Sequence, residues 1–393
     1  MTARFPHLQL NADLREAVRA LTSKFSLEYW EQHDGDDQFP EEFFQAFAKA
    51  GFMGVLVPEE YGGDGGQIAD MCAILEEIAY SGAAMNGCST VHIPMLSLAA
   101  ITAFGTEQQK NEVLPAIASG ELYVTFGVTE PDAGTQTTKI RTFARETEPG
   151  RYLINGGKVW NSGALRGDKI MVLTRTHTPD AQENQALGLT LFLTDLKADT
   201  VKIQPIKKIA RNAVASAEVF FEDHPVRDED IVGEKGRGFY HLLHSLNSER
   251  LMLASESLGM GRWALDAATT YAKERMVFDR PIGKNQAVAH PMADSFLKLV
   301  AAANVLYEGA EQYAAQGAGE VGTYANAAKY LASEAAFECA DRAMQTFGGY
   351  SFAREYHIGR FFLESRLMRI APVNNQMVLN YIAERELGLP RSY

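Results

Sequence analysis

The feature that most constrains this 393-residue chain is a double change of hydrophobic period along its length. From Asn11 to about Gly120 the pattern is helical: Leu14, Val18, Leu21 and Phe25 recur at helix spacing, and Asp13 with Glu16 resembles a capping box. Pro40 and the PEEYGGDGG segment from Pro58 to Gly66 interrupt it, with helices expected over 43–50 and 71–80, the latter ended by Ser81-Gly82. Near Tyr123 the character changes to short runs rich in Val, Ile, Phe and Thr, over 123–129, 152–160, 169–176, 188–196, 201–206 and 217–221, separated by Asn-Gly and Thr-Pro-Asp turn chemistry. A compact antiparallel β domain is expected there. After Gly236 the helical period returns, over 237–274, 287–316, 321–346 and 374–387, which implies a helical bundle. The domains are therefore placed at 1–121, 122–234 and 235–393.

Composition narrows the function by exclusion. A formal net charge of −13 argues against nucleic acid or an anionic membrane as principal partner, because both need a basic footprint. Cys72, Cys88 and Cys339 are odd in number and far apart, so neither a disulfide framework nor a metal spacing is readable, and a reducing compartment suits them. Residues 1–10 hold no basic stretch followed by an apolar run, and no uninterrupted apolar window of spanning length is seen, so the chain is read as cytoplasmic.

Two local patterns imitate motifs. Gly259-Met-Gly261-Arg-Trp-Ala264 satisfies G-x-G-x-x-A, but it lies within a helical stretch where the dinucleotide fingerprint needs a strand and a tight turn. His241 and His244 could share a metal, yet no cysteine lies near them, and a solvated helix face is the expected reading; no metal site is predicted. No phosphate loop, H-E-x-x-H or G-x-S-x-G is found, which removes the usual anchors of phosphoryl transfer, zinc hydrolysis and serine hydrolysis.

One carboxylate stands out. On a helical projection Leu242, Leu246 and Leu253 form a narrow stripe, and Glu249 falls inside it. A carboxylate desolvated by leucines has its ionised form disfavoured, which suits a general base working near neutral pH. A structural glutamate paired with a cation fits the same pattern, and Glu256 shares the face two turns on.

Four blocks then carry a resemblance to the acyl-CoA dehydrogenase family, extending from Phe39 (FPEEFFQAFAKAGFMGVLVPEEYGG) to about Leu389. The run Phe126 to Thr135 (FGVTEPDAGT) resembles the family's flavin loop, which usually ends TEPGAGS. Gly157 to Gly163 (GKVWNSG) resembles K-x-W-I-T-N-G, Arg275 to Phe278 with Arg280-Pro281 and Gln286 resembles R-x-x-F-G-[RK]-P and its downstream glutamine, and Gln345 to Gly349 (QTFGG) resembles Q-x-x-G-G. The resemblance implies an α+β, mainly helical fold: a helical N-terminal domain, a central β barrel-like domain and a C-terminal four-helix bundle. It implies FAD as cofactor, an acyl-CoA substrate, electron-transfer flavoprotein as electron acceptor, and a homotetramer.

Carried over residue by residue, the resemblance places Phe126, Val128, Thr129 and Thr135 against the isoalloxazine and the thioester region, with Trp160 and Ser162 covering the ring's other side. A core aromatic in a strand is the plain alternative for Trp160. Arg275, Phe278, Gln286, Gln345, Gly348 and Gly349 would hold the pyrophosphate and adenine, partly across a subunit interface, since a guanidinium fork suits a diphosphate and glycine allows close approach. Thr135, Asn247 and Arg250 are the expected substrate contacts.

The sequence also departs from the family. Where most members carry the base in Y-E-G-T, this chain reads Ile370-Ala-Pro-Val-Asn-Asn-Gln376, with Pro372 in place of the glutamate. Members resembling isovaleryl-CoA and long-chain dehydrogenases carry the base in an L-x-x-E-R context, which Leu246 to Arg250 matches, so Glu249 is the expected base for α,β-dehydrogenation to a trans-2-enoyl-CoA. Asn374, and Val277 where many relatives have Thr, leave some flavin contacts open. A flavoenzyme of the same fold with different chemistry (a desulfinase, nitroalkane oxidase or monooxygenase relative), and a non-catalytic CoA-ester-binding protein, are the alternatives.

Overall fold

The structure is a computed structural model that describes residues 5–180 and 184–391. The chain opens with helices α1 (Ala12–Thr22), α2 (Leu27–Gly35), α3 (Glu41–Lys49), α4 (Ile68–Ile78), α5 (Ala84–Phe104) and α6 (Glu107–Ala118). Strands β1 (Val124–Gly127), β2 (Phe143–Glu148), β3 (Arg151–Ser162), β4 (Lys169–Arg175), β5 (Leu189–Asp195), β6 (Val201–Ile206) and β7 (Ser216–Arg227) follow. Helix α7 (Gly238–Glu274), a hairpin of β8 (Met276–Val277) and β9 (Arg280–Pro281), and helices α8 (Gln286–Gln316), α9 (Gly322–Phe347), α10 (Ile358–Leu367) and α11 (Asn375–Arg385) complete it. The order helices, sheet, helices is the one that the two changes of period imply, and α10 is an addition to the four C-terminal helices expected.

By contact density the chain divides into two compact units. One comprises Met1–Gln32, Gln67–Cys88 and Asn247–Tyr393; the other comprises His33–Gly66 and Ser89–Leu246.

In the first unit α8 packs along α9, which also receives α10 and α11, while α4 packs on α1 and α8. Helix α7 crosses close to its neighbours because it carries glycines where they meet. A Cβ on Gly259 would lie 2.3 Å from the Glu76 carbonyl oxygen of α4, and one on Gly261 would lie 2.7 Å from Leu299 of α8 and 3.1 Å from Ala336 of α9. The G-x-G-x-x-A pattern therefore serves helix packing. Charges are buried here in a mutually paired cluster: Arg15 donates to Glu76 (2.9 Å) and Glu77 (2.7 Å), Arg262 donates to Glu76 (2.6 Å), and His7 and Tyr307 each lie 2.8 Å from Glu76. Helix α1 differs from expectation at its start, where Asn11 occupies the cap in the left-handed region (φ 54°) and makes no side-chain cap bond; its amide donates to Asp70 instead. The capping box expected at Asp13 and Glu16 does not form.

Helices α4 and α5 are separated by a π-type turn, Ala79–Ala83, in which Gly82 has φ 103°. Counting through that turn, Ile68–Phe104 is long and apolar enough to cross a membrane by length and composition, although polar residues interrupt it throughout. Some 67% of its most apolar window is buried within the protein, the burial of a core helix.

In the second unit the sheet order is β1-β4-β2-β3-β7-β6, with β5 pairing β4. Its core comes from alternate residues, among them Tyr152 and Ile154 on β3 and Ala217, Val219 and Phe221 on β7, packed with Ile170, Val172 and Phe192. Burying each large apolar side chain contributes about 1.5–3 kcal/mol. The sheet is mixed where a wholly antiparallel one was expected, because β1 runs parallel to β4, with Val124 opposite Lys169 and Gly127 opposite Val172. The chain leaves β1, forms the β2–β3 hairpin, and returns as β4 beside its starting strand. Strand β2 went unrecognised in sequence because only Ala144 of it is fully buried, so no alternation shows. Asn155-Gly156, which resembles a turn, is a bulge within β3, where a Cβ on Gly156 would lie 2.7 Å from the Thr142 Cα.

Candidate active site

Six of the expected cofactor and substrate contacts lie on the second unit. Phe126 lies on β1, and the loop that follows the strand is tied down at three points. The Val159 N–H donates to the Thr129 carbonyl (2.9 Å), the Lys158 ammonium donates to the Val128 carbonyl (3.1 Å), and Lys158 also donates to Glu130 (2.8 Å). Glu130 in turn accepts from the N–H groups of Arg141 and Thr142, at 2.6 and 2.9 Å. Both members of the pair are buried. Burial pushes the Lys158 ammonium down to about 8 against the pull of Glu130. Burial alone would raise the Glu130 carboxyl, but the Lys158 charge and the hydrogen bonds from Lys158 and Thr142 outweigh it and hold it below its ordinary 4.5. Neither residue carries a signal of this role in the sequence, since their proximity exists only once β3 is laid beside the loop.

Val128 and Thr129 are half-buried, and Thr135 is exposed further along the same loop. Trp160 is 57% exposed, which overturns the reading of it as a core aromatic. Strand β3 bulges between Lys158 and Asn161, and Trp160 itself has φ 64°, a conformation that costs energy for a bulky side chain. The bulge turns the indole out of the sheet. Two positions on, the Ser162 hydroxyl accepts a hydrogen bond of 2.7 Å from Arg211, a residue that no sequence signal marked.

His241 and His244 do not form a solvated face. Their rings lie 4.3 and 5.2 Å from that of Phe104, both are half-buried, and burial pushes both imidazoles below their ordinary 6.5. No group of residues suited to a metal ion occurs among the described residues.

The remaining candidates lie on the first unit. Glu249 is 7% exposed on α7 and Glu256 is 0% exposed, while Leu242 and Leu253 of the stripe are buried and Leu246 is half-buried. Arg250 donates to Asn247 (2.6 Å), whose amide donates to the Ala318 carbonyl (2.7 Å), so two of the three expected substrate contacts are braced by the structure. Burial lowers the Arg250 guanidinium, with Glu249 and Tyr381 opposing. The neighbouring Lys329, held by Asn375 at 2.6 Å, is pushed down to about 8 by burial and by Arg250, with Glu334 and Glu249 among the charges that oppose the shift. Glu249 thus sits among cations. Glu256 instead acts electrostatically on the buried thiols of Cys72 and Cys88. Pro372 stands between α10 and α11, and Asn374 caps α11 by accepting from the Met377 N–H at 3.0 Å.

At the end of α7 the same unit opens into a cleft of about 510 Å³, lined by Tyr271, Arg275, Phe347, Gly348, Gly349 and Tyr350 among others. Tyr271 stacks on Phe347 with ring centroids 4.1 Å apart, which makes a rigid wall. A Cβ added to Gly348 or Gly349 would meet nothing within 4 Å, so these glycines leave backbone open to the cleft. Arg275, Gly348 and Gly349 are brought together as expected. Phe278, Gln286 and Gln345 are exposed and lie outside the lining. An open glycine backbone beside an arginine suits an anionic, nucleotide-like group, and an exposed indole beside a hydroxyl suits a planar ring with polar edges.

Comparison with known proteins decides the family. Acyl-CoA dehydrogenase family models match in sequence order: the N-terminal domain over residues 11–121, the middle domain over 125–224 and the C-terminal domain over 236–387. The chain belongs to the acyl-CoA dehydrogenase family. Membership makes it a flavin-dependent oxidoreductase, and the family is FAD-dependent. Among relatives, the acyl-CoA dehydrogenase fadE12 of Mycobacterium bovis is 35% identical over 386 residues, covering 97% of this chain and 96% of that protein. Among solved structures, the glutaryl-coenzyme A dehydrogenase glutaryl-CoA complex has a TM-score of 0.89 at 30% identity, covering 97% of this chain and 96% of that one. A structure described as the electron transferring flavoprotein of Acidaminococcus fermentans has a TM-score of 0.87 at 29% identity, covering 96% and 97%. As a member of this family the chain has the helical N-terminal domain, middle β half-barrel and C-terminal helical domain of the acyl-CoA dehydrogenase fold.

Proposed function

We propose that this family member binds FAD and oxidises an acyl-CoA thioester to the trans-2-enoyl-CoA, with Glu249 as the base that removes the α proton. The observation that carries the proposal is a buried carboxylate on α7, set among Arg250 and Lys329, in a chain whose C-terminal base position holds Pro372. When bound, FAD supplies the acceptor for the β hydride. Phe126, Val128, Thr129 and Thr135 line one side of the ring and the thioester, and Trp160 and Ser162 cover the other. Hydroxyl and amide donors aimed at the polar ring edge stabilise negative charge as it arrives. Arg275 meets the pyrophosphate, and Gly348 and Gly349 let it approach the backbone, with Phe278, Gln286 and Gln345 completing the adenine end beside a second subunit. Asn247 and Arg250 steady the substrate, and reaction requires both C–H bonds to be held against their acceptors.

Electron-transfer flavoprotein is the proposed electron acceptor, the assembly a homotetramer and the location the cytoplasm. Likeness to a structure whose description names an electron transferring flavoprotein supports the choice of acceptor.

Anaerobic mixing of the oxidised protein with a panel of saturated acyl-CoAs tests the activity: bleaching of the flavin by at least one chain is expected, and no bleaching by any chain removes dehydrogenation. Glu249→Gln is expected to retain FAD and substrate but lose about a hundredfold or more in the reductive step, as for removal of a general base. Near-normal reduction by that variant moves the role to Glu256 or another group.

A further inference from the structure

We propose that Arg211 is a positioning residue, which fixes the Ser162 hydroxyl as a donor and thereby raises the reduction potential of the bound flavin. The proposal rests on the reading above that Ser162 meets the flavin, and it adds a residue that neither sequence motif nor family block marked.

The geometry is that of a three-way clamp. The Arg211 guanidinium donates through Nη2 to Ser162 Oγ (2.7 Å) and to Ser216 Oγ (2.9 Å), and through Nη1 to Ser89 Oγ (3.1 Å). The fork is itself locked in place. Lys208 Nζ donates to the Arg211 carbonyl (2.9 Å), the Val214 carbonyl (2.8 Å) and Ser216 Oγ (3.2 Å), while the Asn212 N–H donates to Asp34 (2.6 Å). Arg211 has φ 58°, a left-handed conformation that a residue other than glycine adopts at some cost. The loop between β6 and β7 therefore accepts strain in order to present this guanidinium beneath three serines.

The chemistry follows from the donor inventory. A serine hydroxyl has one hydrogen and two lone pairs, and a guanidinium has donors only. With Arg211 occupying a lone pair of Ser162, the hydroxyl hydrogen is left to donate elsewhere, and the cation polarises the O–H bond so that it donates more strongly. Such a donor favours whichever flavin state carries more negative charge on its polar edge, which is the reduced one. A guanidinium stays charged across the working pH range, so the bias is constant with pH. Lysine does not reproduce the effect, because its donors radiate from one nitrogen, whereas the planar fork reaches Ser89 from Nη1 and Ser162 with Ser216 from Nη2.

The test is the two-electron midpoint potential of the purified, FAD-loaded protein, measured with its flavin spectrum and melting temperature for Ser162→Ala, Arg211→Met, Arg211→Lys and the Ser162→Ala/Arg211→Met double variant. Loss of one charge-assisted hydrogen bond predicts an about tenfold weaker preference for the reduced state, equivalent to a fall of about 30 mV for a two-electron couple. Ser162→Ala and Arg211→Met should each show that fall, and the double variant should fall no further than either alone. Arg211→Lys should lie near Arg211→Met, and it carries the test if the methionine variant fails to fold. A normal potential in the Arg211 variants beside a lowered one in Ser162→Ala overturns the proposal, as does an additive double variant. An unchanged potential in Ser162→Ala overturns both this proposal and the reading of Ser162 as a flavin contact.

Discussion

Glu130 and Lys158 show how a single buried pair shapes a loop that the family reading needs. Glu130 satisfies two backbone N–H groups and the Lys158 ammonium at once, and Lys158 reaches the carbonyl of Val128, so the flavin-loop candidates are fixed by a charge pair beneath them. Glu130→Gln removes the counterion and leaves a buried cation uncompensated, a change that costs about 3–5 kcal/mol and should appear as a lowered midpoint in chemical unfolding. The pH dependence carries its own sign. The Glu130 carboxyl is held below its ordinary 4.5 in the folded state, so its contribution is complete above that value and is lost as pH falls through the lower folded value. The acid limb of the stability profile below pH 4.5 should therefore be shallower in the variant than in the parent. Neither residue was legible as a pair in the sequence, because 28 positions separate them and only the packing of β3 beside the loop brings them together.

At the scale of elements, the break between α4 and α5 is held by α10. Arg360 donates to the carbonyls of Gly82 (2.6 Å) and Ala83 (3.4 Å) at the end of the π-type turn. Glu364, one turn further along α10, accepts from the Met85 N–H (2.6 Å) and the Asn86 amide (2.9 Å) at the start of α5. One ion pair thus satisfies the carbonyls that end one helix and an N–H that begins the next, which a buried break requires. The Ser81-Gly82 signal located this interruption in sequence, but the residues that stabilise it lie nearly three hundred positions away on a helix whose short, mixed pattern went unread. Glu364→Gln keeps the shape while removing the charge, and should lower stability by about 1–3 kcal/mol, the range for weakening a buried charge-assisted bond. Circular dichroism melting checks it, and a melting temperature equal to the parent's removes the clamp.

For the whole molecule, the proposed assembly has a specific point of failure. The β8–β9 hairpin turns through Phe278 and Asp279, both in the left-handed region at φ 52° and 58°, which matches a two-residue type I′ turn usually built from Asn and Gly. An aromatic at such a turn is disfavoured locally, and Phe278 is 91% exposed in the single chain. Phe278→Asp should suit the turn while withdrawing the ring from a neighbouring subunit, giving smaller particles by light scattering and about tenfold or greater loss of FAD affinity, the equivalent of burying one aromatic ring. Unchanged size and retention would separate FAD binding from assembly. The amino-acid sequence by itself determined the order helices, sheet, helices, since periods of 3.6 and 2 are written in consecutive residues, and it determined the family, since the motif blocks are local strings. Tertiary structure alone decided that β1 and β4 lie parallel, that Trp160 turns outward at a bulge, that Gly259 and Gly261 serve helix crossings, that His241 and His244 pack on Phe104, and that Arg211 lies under Ser162. The physical reason is common to all five. Each depends on atoms far apart in the chain whose meeting costs conformational entropy and is favoured only when the core of the unit that holds them forms with its hydrogen bonds.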